Sequence, residues 1–573
     1  MRRSFVVPWA VLALAVVAAG ASTSCGPSTT PPRPPDPAPL TAQERARALD
    51  ELARARTAGD ASAAAAVNGR LARDARLRAR RVLDYWLARR DPESGLWAHS
   101  EGRPRWVPQN TGADLWPHLL SAARELAPEH ALAVASALAR ERALCGALPC
   151  TVLLSPPRAV LRSPMPVRLS RAAEYAADGL LPPSERYGRG PWFDRLVEVA
   201  NALVAEIGPR AATGDSETDG NLLQALARLA HATRDDRIVA AAERMADRYL
   251  LEWIPAAGGL PPREWDFDRG APSVPDFRFR DHGAEIVPGL AEVYVAERAL
   301  GRPAAARHRD PLRRLLARAL AVERAPDGLW RDKVDLSTGA AAGGVVDTWG
   351  YLLAAYVMTD LADGTRDWGP TVSEMVAAAA SRAGYAWEGS NPDGPADAIE
   401  SMLLLLPFSP SPAGEAFVDA ELPAIFALQD GDGSAGAGYL DGNVIRTALL
   451  YAGWKSAGVA PRPPREDLAL GAERSPDGPG ITLHFAAHSP WSGRLVFDSP
   501  RHRLHWSMPF DYPRRNAQPE WFAIESEARY RVRDLDSGVR RELAGAVLLA
   551  GLEVEIGRGG GGVRLEIRET SAP

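Results

Sequence analysis

The stretch FRFRDHGAEIVPGLAEVY, residues 277–294, places Asp281, His282 and Glu285 within five positions, immediately ahead of an apolar run. Two carboxyl groups and an imidazole are what a proton-transfer site needs: one carboxyl to donate, a second to accept a proton or attack, and a His to orient or protonate. Asp281 and Glu285 are four apart and share a face in a helical turn. Pro288 is comfortable only in the first turn of a helix. The regular helix is therefore expected near Val287, with residues 281–285 as an entering turn that either faces a cavity or only fastens the chain. A zinc site is not expected, because one His and one carboxylate make half a ligand set.

Comparable groups recur ahead of other apolar runs: Asn110 and Asp114; Asp215, Glu217 and Asp219; Asp347 and Trp349; Asp393, Asp397 and Glu400; Tyr439, Asp441 and Asn443. Asp, Asn and Ser at a helix start also serve as ordinary caps, so each group has a structural reading. Ser216 and Asp219 have the spacing of a capping box. Asp347 can cap a helix, but Trp349 and Tyr351 beside it need partners if buried. Glu400 precedes a fully apolar run, so its carboxylate either turns toward a cavity or is buried at a cost. Asp441, Asn443 and Arg446 combine an acid, an amide and a base that either bind a ligand or pair with one another.

The elements that must position these groups repeat loosely from residue 42 to about 456. Each unit has a loop rich in Gly, Asp, Asn and Trp, an apolar helix, a short break and a helix with one charged face. Helices with little polar surface alternating with half-wet helices predict two concentric layers, an α/α toroid of six to seven hairpins; a helical solenoid is the alternative. The N-terminal ends of the inner helices then converge at one mouth. Residues 457–480, rich in Pro and charge, are expected as a linker. Seven short alternating runs after them predict a small β-sandwich over 481–573.

The N-terminus carries two Arg, an apolar run from Phe5 to Ala19 and small residues before Cys25, which is expected as an export signal over 1–25 with Cys25 lipidated. The Pro-rich stretch 26–41 would tether the protein to a membrane surface. Arg is abundant while Lys appears only at 333 and 455, and the net charge of -5 over 573 residues is nearly balanced. No basic run marks a nucleic-acid surface. Cys145 and Cys150, in CGALPC, are expected to form a disulfide outside the cytoplasm.

The helix-start segments DHGAE and DTWGY, with DYPRRNAQPEWF at 511–522, resemble the six-hairpin glycosidase superfamily. DAIES, DGNVIRT, WSGRLVFDSPRH and PEWF are similar to an exported bacterial group within it. The resemblance covers about residues 70–570 and implies an α/α toroid with a C-terminal β-sandwich acting on an oligo- or polysaccharide, without a cofactor. Its hydrolases use paired carboxylates and its lyases a Tyr, His or Asn base with a neutralised uronate; no family catalytic residue maps uniquely onto this chain. The catalytic candidates are Glu285 and Asp281, then Asp347 and Glu400, with His282 orienting or protonating. Asp219, Trp349, Tyr351, Tyr439, Asp441 and Asn443 are the candidate substrate contacts. A lyase using His282, Tyr351 or Tyr439, and a glycan-binding scaffold without catalysis, are the alternatives.

Overall fold

Helices begin where the sequence supplies an acceptor for their free N–H groups. Thr41 accepts the Glu44 N–H at 3.2 Å while the Glu44 carboxylate takes the Thr41 N–H at 2.9 Å, and α1 (Ala42–Thr57) starts there. Asp60 starts α2 (Ala61–Ala88) in the same way, accepting from the Ala63 N–H at 2.9 Å. The computed structural model describes residues 38–100, 104–389, 391–436, 438–557 and 559–570, and of Asp281 and His282 only the backbone. The expected signal, the lipidation site Cys25 and most of the tether lie outside the described residues.

Helical hairpins follow in sequence: α3 (Trp116–Leu126) with α4 (Pro128–Cys145); α5 (Met165–Glu174), continued through a π turn at Tyr175–Leu180 into α6 (Leu181–Tyr187), with α7 (Pro191–Ile207); and α8 (Ser216–Thr233) with α9 (Asp236–Asp247). The last of these runs on through Arg248–Trp253 into the short α10 (Ile254–Ala256). Next come α11 (Ile286–Leu300) with α12 (Ala304–Leu320), α13 (Trp349–Asp363) with α14 (Gly369–Ala380), and α15 (Gly394–Leu405) with α16 (Pro412–Phe426). Finally, α17 (Gly438–Lys455) packs along α2.

The first members pack side by side in the order α3, α5–α6, α8, α11, α13, α15 and α17, and α17 returns to α3, closing the ring of an α/α toroid. Every residue of α11 from Ile286 to Glu297 is buried, whereas its partner α12 buries one face and leaves its arginines wet. That contrast is what an inner and an outer layer require. Among the described residues no helix is long and apolar enough to cross a membrane.

Loops between the hairpins carry small antiparallel sheets: β1 (Arg105–Trp106), β2 (Thr151–Leu153) and β3 (Arg158–Val160); β4 (Glu264–Asp266) and β5 (Ala271–Val274); β6 (Asp276–Arg278), β7 (Arg331–Asp335) and β8 (Ala341–Val345). Cys145 and Cys150 form a disulfide just before β2. After α17 the chain forms β9 (Ala460–Arg462), β10 (Ala469–Arg474), β11 (Gly480–Ala487), β12 (Trp491–Val496), α18 (Arg501–Trp506), β13 (Arg529–Asp534), β14 (Arg540–Ala544), α19 (Gly545–Ala550), β15 (Leu552–Ile556) and β16 (Gly561–Thr570). Their two antiparallel sheets have the orders β10-β11-β16-β13-β14 and β15-β12-β9. Both contribute to one apolar core, Leu470, Leu483 and Ile567 from the first and Trp491, Leu495 and Ile556 from the second.

The C-terminal region differs from the expected layout at four places. Residues 457–480 hold β9 and β10 rather than a linker; β10 lies on α2 so closely that a Cβ on Gly471 would stand 2.1 Å from the Gly69 nitrogen. Of the seven runs expected as strands, HRLHWSM is a helix, and EWFAIE and the start of GAVLLAGLEVEI also depart from the expectation: for the first, Pro500 sets the helix start, and Arg501 is held at 2.9 Å by Asp498, three residues earlier. EWFAIE forms no strand, and GAVLLA is helical.

Candidate active site

The site is built around a segment that sequence periodicity places in the β region. Between α18 and β13 the chain leaves the sheets, and Trp506, Met508, Tyr512 and Trp521 join the apolar core of the helices. Arg514 meets Glu185 of α6 at 2.7 Å and Asp511 at 2.8 Å. Arg515 meets Asp178 of the π turn at 2.7 Å, donates to Asn221 of α8 at 2.7 Å, and pairs with Glu285 at the start of α11. The Asn516 N–H donates to Glu400 of α15 at 2.6 Å, and its side-chain amide donates to Asp178 at 2.7 Å and accepts from Arg446 of α17 at 3.2 Å. A segment bonded to α6, α8, α11, α15 and α17 must lie inside the ring they form. Asn516, at φ 56°, is in the left-handed conformation that Asn tolerates better than most residues, so the chain turns back there.

This segment lines an open cavity at the N-terminal ends of the inner helices. Arg515, Asn516 and Arg446 line it, with Asp178 and Glu285. Its walls are Asp114, which precedes α3; Thr348, just before α13, and Tyr351 within it; Asp393, just before α15, and Asp397 within it; and Tyr439 and Asn443 of α17. Asp393, Asp397 and Glu400 follow one another at four and three residues, so one face of α15 carries all three. Close packing fixes the neighbouring wall, since a Cβ on Gly442 would stand 1.8 Å from the Asp114 carbonyl oxygen.

Charge and burial set the protonation states. Asp393 is pushed up to about 7, first by burial and then by the charges of Asp397 and Asp114, while Arg446 and the Asn443 amide that donates to it act the other way. It is therefore a carboxyl about half protonated at neutrality, able to give up and regain its proton there. Asp397 pairs with Arg446, whose other end lies 3.1 Å from Glu400. Burial opposes the Arg446 charge, but Glu400 and Asp397 outweigh it and hold its pKa well above the ordinary value. The Tyr351 hydroxyl donates to Glu400 at 2.7 Å; burial, Asp397 and Glu400 raise its pKa far above 10, so it remains a donor. Among the described residues the one group with metal-like proximity, His502, Asp511 and Glu520, lies outside this lining. Its members already bond to protein: His502 Nδ1 is 2.9 Å from Glu520, and Asp511 pairs with Arg514.

No family model and no curated protein matches the chain. Solved structures do. An inactive variant of the α-1,6-mannanase GH76A of Salegentibacter sp. HEL1_6, in complex with α-1,6-mannotetrose, is similar over 66% of this chain and 98% of its own, at 12% identity and a TM-score of 0.39. The unsaturated glucuronyl hydrolase of Bacillus sp. GL1 is similar over 49% of this chain and 85% of its own, at 16% identity and a TM-score of 0.35. The cellobiose 2-epimerase of Spirochaeta thermophila DSM 6192 is similar over 65% and 93%, at 15% identity and a TM-score of 0.36.

The structure distributes the sequence candidates unevenly. Glu285, Tyr351, Tyr439 and Asn443 line the cavity. Residues 281–284 form a 3-10 turn ahead of α11, which begins at Ile286; the side chains of Asp281 and His282 lie outside the described residues. Glu400 is fully buried behind the lining and holds Asn516, Tyr351 and Arg446. Asp347 is also buried, accepts the Thr348 N–H at 2.8 Å, and is raised well above the carboxylate range by burial and by Asp397. Three candidate contacts are structural. Trp349 is 0% exposed in the core and cannot stack on a ligand. Asp219 accepts from the Thr213 N–H and hydroxyl, the Gly214 N–H and the Tyr249 hydroxyl, at 2.8–3.1 Å, while the cap of α8 is Asp215. Asp441 is buried and accepts from Trp86 Nε1 at 2.9 Å, fastening the start of α17. Asp178, Arg515 and Asn516 were not among the candidates; the signal for the last two is a pair of arginines and an Asn between Pro513 and Pro519, more charge than a sheet connection needs.

Proposed function

We propose that the protein cleaves glycosidic bonds by carboxylate acid/base catalysis. The observation that carries this reading is the convergence of Asp114, Asp178, Glu285, Asp393 and Asp397 on one cavity, with Asp393 pushed up to about 7. Hydroxyl-rich ligands need such acceptors, and Tyr439 adds an aromatic face at the mouth. Asp393 donates its proton to the departing glycosidic oxygen as the bond from that oxygen to the anomeric carbon breaks. Asp114, on the neighbouring wall, takes a proton from the water that adds to that carbon. Asp397, held by Arg446, faces the positive charge that develops on the sugar ring.

Hydrolysis is favoured over elimination by two observations. A lyase must neutralise a uronate, yet both arginines of the cavity are committed, Arg446 to Asp397 and Glu400, Arg515 to Asp178 and Glu285. A tyrosine base needs a lowered pKa, whereas Tyr351 and Tyr439 are both raised by burial and neighbouring carboxylates. The N-terminal signal and Cys25 support a membrane-anchored lipoprotein acting outside the cytoplasm, and the Cys145–Cys150 disulfide accords with an oxidising compartment. Labelled fatty acid recovered on wild-type protein but not on Cys25→Ala tests the anchor. A screen of glycans for new reducing ends, with Asp393→Asn as control, tests the chemistry; product carrying a new double bond would contradict it.

A further inference from the structure

We propose that the segment from β3 to the first turn of α5, with the outer face of the sheet β1-β2-β3, docks the protein on an anionic lipid surface. This rests on the lipoprotein reading above, and it is tested without the anchor so that either can fail alone. Exposed aliphatic side chains concentrate here: Leu161, Met165 and Val167 are 54%, 39% and 38% exposed and lie within seven residues. Pro164 and Pro166 between them are exposed as well. Pro164 stands at the cap of α5 and Pro166 in its first turn, so the chain is stiff where it meets solvent. Leu169, further along the helix, is buried and holds α5 to the core.

Strand register carries the surface onto the sheet. Arg105 pairs with Leu153 and Leu153 with Arg158, so these three side chains share one face. Trp106, Val152 and Ala159 take the other face, where Trp106 and Val152 are fully buried. Arg105 and Arg158 are exposed. Residues 151–173 hold Arg158, Arg162, Arg168 and Arg171 and no Asp or Glu, in a chain whose net charge is -5. Glu141 and Glu174, the carboxylates that bound this stretch in sequence, are both buried.

The charge and the side-chain types select lipid as the occupant. Aliphatic groups enter the boundary between headgroups and acyl chains, while arginines pair with phosphate in a planar fork. The stretch 151–173 has no aromatic ring on which a sugar could stack. A bilayer is also within reach of an anchored chain, because residues 26–37 can span no more than about 40 Å. From Val167, α5 leads to the π turn that carries Asp178, roughly 15–20 Å along the helix, so docking holds the cavity close to the bilayer.

Vesicle binding tests the proposal on residues 38–573, which form a compact unit of their own. The probes are vesicles of phosphatidylcholine alone and of phosphatidylcholine with about 30% phosphatidylglycerol, read by flotation. Each arginine near an anionic surface strengthens binding about fivefold at most, so partition onto the anionic vesicles is expected to exceed that onto neutral ones by about tenfold or more. Leu161→Asp with Arg162→Glu, both at exposed positions, is expected to lower that partition about tenfold with thermal unfolding unchanged. Arg531→Glu with Val539→Asp makes the same change of charge and polarity at exposed positions of the C-terminal sheet and is expected to leave it unchanged. Absence of binding, equal partition onto both vesicles, or equal losses in the two variants would overturn the proposal, with acylation of Cys25 unaffected. A dimer in solution that the Leu161→Asp, Arg162→Glu variant loses would assign this face to a second copy of the chain and overturn it as well.

Discussion

Asp393→Asn removes the cavity carboxyl that burial and neighbouring carboxylates push up to about 7, and its effect on stability can be worked out in sign and size. The group moves from an ordinary value of 3.8 to about 7 on folding. The folded chain therefore holds a proton between those values that the unfolded chain releases, and stability falls as pH rises from about 4 to about 7. At about 1.4 kcal/mol per pH unit the full shift corresponds to ~4 kcal/mol. Asp393 keeps some solvent contact, which screens the interaction and brings the expected change between pH 5 and pH 8 to roughly 2 kcal/mol. Asn matches the protonated acid in shape and carries no charge, so the variant lacks this dependence. Urea unfolding of both proteins at pH 5 and pH 8 measures the double difference, in which the titrating groups that do not interact with Asp393 cancel. The variant gains on wild type by roughly 2 kcal/mol on going to pH 8. An unchanged difference at the two pH values would refute the claim that folding raises this carboxyl.

Other outcomes follow from the same geometry. Turnover falls as pH rises through about 7, because Asp393 must carry the proton it donates; a profile flat to pH 9 would remove it as the acid. Arg446→Met leaves Glu400 and Asp397 without their cation and costs about 3–5 kcal/mol in urea unfolding, and adding Glu400→Gln restores part of that; additive losses would show that the pair is not coupled. Gly442→Ala forces a Cβ against the Asp114 carbonyl, so it destabilises by about 1–3 kcal/mol and lowers turnover by displacing Asp114. Replacing Cys145 and Cys150 with Ser opens a small loop, which costs about 2 kcal/mol in the loop-closure picture, read as a lower urea midpoint.

The toroid was legible because an inner layer and an outer layer demand different helices, and the apolar runs at 286–300 and 349–363 contrast with the one-sided helices that follow them. Pro288 located the start of α11 for a backbone reason that no tertiary contact overrides. Side-chain direction was less legible. Trp349 and Asp219 stand at helix starts like the true lining residues, and only packing decides that the first faces the core and the second closes a turn. On α15, Asp393 and Asp397 line the cavity while Glu400, one turn deeper, lies behind it; spacing gives the shared face, not the depth. Arg515 and Asn516 reach the site from hundreds of residues away, and local periodicity carries no information about a chain that leaves one core to enter another.

The central claim is that carboxyl groups of this cavity cleave a glycosidic bond, with Asp393 as the acid. The most direct test is release of reducing ends from a glycan substrate by wild type and Asp393→Asn, with product absorbance followed in parallel. Saturated product is expected from wild type, with a loss of about a hundredfold or more in the variant and its fold intact. Undiminished turnover by Asp393→Asn, or an unsaturated product from wild type, would contradict it.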